Sequence, residues 1–111
     1  MPDARAERLA RNESRFREIN ERVEHDLEPI VERQDELIPF VCECGRPTCS
    51  QALELSLGEY EAVRSDATRF VVVDGHQIDD VEDVVERHDR YLVIQKHPET
   101  WAIVEQTDPR R

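Results

Sequence analysis

The chain predicts an α+β fold, an amino-terminal amphipathic helical arm followed by a small, mainly antiparallel sheet with one short helix. Three observations lead there. Apolar residues recur at helical spacing from Leu9 to Ile30, short β-like runs begin after Pro39, and the only cysteines, Cys42, Cys44 and Cys49, fall within eight residues. At 111 residues one small domain is expected, of a size where a modest apolar core suffices and a further staple helps.

Leu9, Phe16, Val23 and Ile30 lie seven apart, with Ile19 and Leu27 on the same stripe, so residues 3–27 read as one amphipathic helix. Its other face is charged. Glu7 and Arg11, Glu13 and Arg17, and Glu18 and Arg22 stand four apart with the acid first, the favourable order for ion pairs along a helix. The heptad spacing also offers a homodimer through this helix, although Asn12 and Asn20 interrupt the seam, and docking on the chain's own core is the preferred reading. Pro29 lacks the donor a continuing helix needs, so a short second helix is expected from there to Glu36.

Residues 40–44 read as a strand whose alternation puts Cys42 and Cys44 on one face, and Gly45 and Pro47 supply the turn that brings Cys49 back towards them. Residues 52–55 form a second short strand. Ser56 with Glu59 is a capping box, predicting a helix over 57–64 with Leu57, Tyr60 and Val63 buried. The all-apolar run 70–73 reads as a central strand covered on both faces. Residues 84–87 and 91–94 flank a hairpin at His88-Asp89-Arg90, and Trp101-Ala102-Ile103-Val104 is expected to pair back as a last strand. Residues from Thr107 on read as a frayed tail.

Composition excludes several classes. With hydrophobic and charged residues at 38% and 37%, the chain is too mixed for a membrane span and too periodic to be wholly disordered. The net charge of −11, spread along the chain, disfavours direct nucleic-acid binding and leaves a soluble acidic surface or attraction to a basic partner. No apolar signal core follows Met1-Pro2-Asp3-Ala4-Arg5, so a reducing cytoplasm is expected, and three cysteines cannot pair off as disulfides. Neither a phosphate-binding glycine motif nor an H-E-x-x-H pair is present, and the acidic run 79–83 lacks the glycine and ligand order of an EF-hand.

The clustered cysteines carry the chemistry. Thiolates are preferred zinc ligands and a structural site takes four donors, so Cys42, Cys44 and Cys49 call for one more. His76, just past a strand and beside Gly75, is the best fourth ligand, with Asp74 or water as the fallback; His25, His88 and His97 read as solvated. One Zn2+ per chain is expected, with iron at the same ligands an open alternative. The domain boundaries then read as a helical arm over 1–37, a zinc-binding α+β domain over 38–105, and a flexible tail over 106–111.

Phe40-Val41-Cys42-Glu43-Cys44 with Cys49, Glu59-Tyr60 through Val63-Arg64, Phe70 to Val73 with Gly75-His76, and Val84-Val85-Glu86-Arg87 resemble a group of short bacterial hypothetical proteins, found especially in high-GC lineages. The likeness runs from the first helix to Asp108-Pro109-Arg110 and implies a recurring domain rather than a reaction. One departure is Asp74, where the group often has proline before Gly-His. The expected function is a non-enzymatic interaction or regulatory module binding an unknown protein partner. The alternatives are a zinc-thiolate redox sensor and a small metal-dependent hydrolase with Glu43 as base.

Overall fold

Asp3 starts the first helix by accepting a hydrogen bond from the Ala6 backbone N–H at 2.7 Å, satisfying a donor that the first turn cannot use internally. A computed structural model describes residues 3–110; Met1, Pro2 and Arg111, to which the readings of the two termini extend, lie outside the described residues. Helix α1 runs Ala4–Leu27 and ends where Pro29 enters. The expected second helix does not form. A single 3-10 turn, Glu28–Ile30, follows instead, and residues 31–37 are irregular.

The chain is α+β, with two small antiparallel sheets. Strands β1 (Ile38–Val41) and β2 (Ala52–Leu55) pair in the first, with Phe40 opposite Leu53. Helix α2, Leu57–Arg64, starts on the Ser56/Glu59 capping box with both reciprocal bonds present, and buries Leu57, Tyr60, Val63 and Arg64. The second sheet contains β3 (Arg69–Val72), β4 (Glu82–Arg87) and β5 (Leu92–Lys96), in the order β3-β5-β4. The apolar run expected to be central is therefore an edge of its sheet, and β5 takes the middle. Phe70, Val71 and Val72 are nevertheless fully buried, because the Cys42–Cys44 segment covers that edge. The Glu43 N–H donates to the Val71 carbonyl at 2.8 Å, and the Val71 N–H donates to the Glu43 carboxylate at 3.0 Å.

Trp101-Ala102-Ile103-Val104 corrects the strand reading. After a 3-10 turn at Pro98–Thr100 these residues form helix α3, Trp101–Gln106. The run is apolar but short, and its periodicity does not separate strand from helix; Pro98 at the start of the turn favours helix initiation. Asp108 and Arg110, beyond α3, are pinned. Asp108 is buried and paired with Arg64, and the Arg110 guanidinium reaches Glu21, Glu24 and Glu61.

Helix α1 docks on this core by an unexpected face. Its buried residues are Ala6, Ala10, Glu13, Ser14, Arg17, Asn20 and Glu24, whereas Ile19 is 46% exposed and Leu9, Phe16 and Val23 are half-buried. The polar residues there are held by partners on other elements, although Arg17 Nε and Glu13 Oε2 are buried without one. Arg17 donates to the carbonyls of Ala67 and Val104, both at 2.6 Å, and its guanidinium lies 4.5 Å over the Phe70 ring. Glu13 lies 3.0 Å from Lys96, whose ammonium also holds Glu82 at 2.9 Å; all three side chains are buried. The expected pairs four apart do not form, since Glu13 and Arg17 turn inward and no ion pair joins Glu7 to Arg11 or Glu18 to Arg22 among the described residues. No helix among them is long and apolar enough to cross a membrane.

Candidate metal centre

Cys42 and Cys44 leave the end of β1 with alternating directions, so their sulfurs share a side while Glu43 between them points the other way. The Cys42 N–H is still held by the Gln51 carbonyl at 2.9 Å, which fixes the segment before the turn. Gly45 then passes so close to α1 that a Cβ would stand 2.7 Å from the Leu9 side chain and 3.2 Å from its Cα. Only glycine fits. The Asn12 amide donates to the Gly45 carbonyl at 3.1 Å, and a Cys49 N–H to Arg46 carbonyl bond of 3.1 Å closes the knuckle.

The fourth group arrives from the end of β3. Gly75 adopts a left-handed φ of +97°, a conformation costly for other residues, and the turn closes through the His76 N–H on the Val73 carbonyl at 2.9 Å. His76 Nδ1 thereby stands 3.6 Å from the Cys42 sulfur and 3.5 Å from that of Cys49. The donor atoms of Cys42, Cys44, Cys49 and His76 all lie within 4.8 Å of one another, an arrangement that could hold a metal ion.

The sulfurs are set in unequal surroundings. Cys42 and Cys44 are buried, and Cys49 is half-buried. The Val73 N–H donates to the Cys42 sulfur at 3.3 Å. Without a metal, the Cys44 thiol is drawn down to about 5, first by the hydrogen bond from Cys42 and further by the Arg46 N–H, against the opposing effect of burial. Cys42 moves the other way, pushed up by that same bond and by desolvation.

No family model matches the chain, and neither curated proteins nor solved structures give a match. The site therefore rests on its own geometry.

The remaining histidines stand apart from it. His88 meets Glu86 at 2.7 Å and stacks on Tyr91, His97 meets Asp83 at 3.2 Å, and His25 is exposed on α1. Asp74, the fallback donor, is exposed and outside the cluster. Within the acidic run, Asp79, Asp80 and Asp83 face solvent, but Glu82 is buried against Lys96.

Asn20 and Glu43 were the supporting residues least expected from the sequence. The Asn20 amide pairs with Val41 as a strand would, donating to its carbonyl and accepting from its N–H, both at 2.8 Å, and donates to the Glu43 carboxylate at 2.9 Å. The Tyr60 hydroxyl adds a bond to Glu43 at 3.3 Å. A signal existed, since Glu13, Arg17, Asn20 and Glu24 recur at helical spacing as the apolar residues do.

Proposed function

We propose that the chain is a small zinc-binding, non-enzymatic interaction or regulatory module of the reducing cytoplasm, belonging with the short bacterial proteins it resembles. Cys42, Cys44, Cys49 and His76 hold one Zn2+ per chain as a structural Cys3His site. The spacing of donors carries this reading. Tetrahedral zinc with sulfur at about 2.3 Å and nitrogen at about 2.0–2.1 Å sets those atoms about 3.5–3.6 Å apart. The observed separations of 3.5 and 3.6 Å match.

Four protein donors leave no open position for a reacting water, which is the structural rather than the catalytic pattern. The hydrolase reading also loses its base. Glu43 is fully buried and turned away from the sulfurs, with its oxygens taken by Asn20, Val71 and Tyr60. When bound, the metal would cross-link the knuckle to the end of β3, and in small zinc peptides such binding is worth on the order of 10 kcal/mol of folding free energy.

Metal analysis of protein purified without an affinity metal tests this directly. About one zinc per chain is expected in wild type, weakened or lost in His76→Ala. Freshly reduced wild type without metal, or with iron in place of zinc, would overturn the assignment.

A redox-sensing role is the second reading, favoured by the exposure of Cys49 beside two buried sulfurs. Two thiolates would join in a disulfide, an added peroxide would take the two electrons and leave as water, and the metal would be released. Zinc release at low peroxide, reversed by a thiol reductant, distinguishes it from a purely structural site.

A further inference from the structure

The buried polar stripe of α1 leaves two of its apolar residues, Phe16 and Ile19, towards solvent, while Val23 and Leu27 pack against the core. Phe16 and Ile19 line a groove with Asn12, Arg15 and Pro47, a cavity of about 250 Å³ beside the cysteine knuckle. Ile19 is nearly half exposed, and no neighbouring element covers it. The charges around this groove are unusual for the chain. Arg8, Arg15 and Arg22 stand seven apart on one line of α1, Arg11 lies next to that line, and Arg46 projects from the knuckle beside Pro47. All five are exposed, and none has an ion-pair partner among the described residues. Exposed Glu18 and Asp26 lie on the same side of α1, so the five arginines outnumber the acids only locally, in a chain whose net charge is −11.

We propose that this face of α1, centred on Phe16 and Ile19 and bordered by Arg8, Arg15, Arg22 and Arg46, docks an acidic amphipathic helix of a partner protein. An apolar centre with an arginine rim is the anatomy of a helix-in-groove interface, where the partner's apolar side chains fill the groove and its carboxylates meet the guanidinium groups. A second copy of this chain fits poorly, because an antiparallel α1 would set the row of arginines against itself. Nucleic acid would use the rim but leave the Phe16–Ile19 centre idle, and the chain's overall charge repels it.

The inference rests on the interaction-module reading and names the kind of partner it serves. The zinc-loaded full chain is presented to a phage library of random peptides about 16 residues long. Selected peptides are then labelled and titrated by fluorescence anisotropy at about 50 and about 300 mM salt. Enriched peptides should carry Leu, Phe or Met at helical spacing flanked by Asp and Glu, and bind less tightly at the higher salt. Arg15→Glu combined with Arg22→Glu should weaken them about tenfold or more at the lower salt. Phe16→Asp should abolish binding.

Both arginines are solvent-exposed, so that double variant keeps its fold even if Phe16→Asp does not. Zinc content and melting temperature are measured on every protein. An absence of such peptides, equal affinity in the charge-reversed variant, competition by a single-stranded oligonucleotide, or a dimer in light scattering that Phe16→Asp disrupts would each overturn the proposal. Wild type that carries no metal would instead count against the reading beneath it.

Discussion

Glu43 stands between two clustered cysteines yet works on the opposite side, where its carboxylate joins α1, α2 and β3 through Asn20, Tyr60 and Val71. Burial raises its pKa, and the hydrogen bonds from Asn20 and Val71 oppose that shift. Removing the carboxylate strands three buried donors, each costing roughly 1–3 kcal/mol. Glu43→Ala should therefore lose about 3 kcal/mol in denaturant unfolding of the zinc-saturated protein, while the metal stoichiometry stays unchanged. Loss of stoichiometric metal in that variant would instead place Glu43 among the ligands. Cys44→Ser, by contrast, should unfold or aggregate, and a soluble, equally stable variant would refute a structural metal. Much of this site can be read from the chain, because Cys42, Cys44 and Cys49 are close in sequence and Gly75-His76 follows a strand. The bracing role of Glu43 cannot, since a lone acid between ligands carries no sign of which elements it will meet.

Among the elements, α2 and the β4–β5 hairpin follow from local signals, a capping box and two short β-like runs on either side of a turn. Helix α1 is different: its length is written in its periodicity, but its docking face is not. Apolar spacing pointed to a stripe of which Val23 and Leu27 do pack against the core, but the fully buried line is Glu13, Arg17 and Asn20, whose partners on β1, β5 and α3 lie far along the chain. Long-range pairing overrides local hydrophobicity here, and no window of sequence contains both halves of those pairs. The carboxy-terminal latch is of the same kind. Arg110 donates to Glu21 at 2.6 and 3.1 Å, to Glu61 at 2.7 and 3.0 Å and to Glu24 at 2.9 Å. With a third of the side chain exposed, the gain is moderated by solvent, and Arg110→Ala should cost about 1–2 kcal/mol. Hydrogen exchange should show faster opening at the end of α3 and in the last turns of α1, where Glu21 and Glu24 stand. Lys96→Ala should cost more, about 3–5 kcal/mol, because Glu82 is left buried without its cation.

The whole molecule carries opposing pH dependences. The Arg90 hydrogen bond holds Glu59 down to about 2, so its contribution is present above about pH 4.5 and lost as pH falls towards 2. Glu13 and Glu24 behave oppositely. Burial raises both, Glu13 well above its ordinary value and Glu24 to about 8, so their contributions are full below about pH 4.5 and are lost as pH rises, for Glu24 through about 8. Burial is the main cause for Glu13, and the second carboxylate on the same ammonium, Glu82, adds to it while Lys96 opposes it. Glu13→Gln should therefore gain on wild type as pH rises above about 4.5, and comparing the two at saturating zinc cancels the metal's own pH dependence. A constant difference across that window would mean Glu13 is ionised in the folded state.

The partners of α1 also impose an order on synthesis. Helix α1 finds its counterparts 87 to 93 residues later in the chain: Arg17 waits for Val104, Ser14 for Thr107, and Glu21 for Arg110. A nascent chain not yet extended through α3 would thus hold α1 undocked, its polar stripe without partners, until those later residues are made.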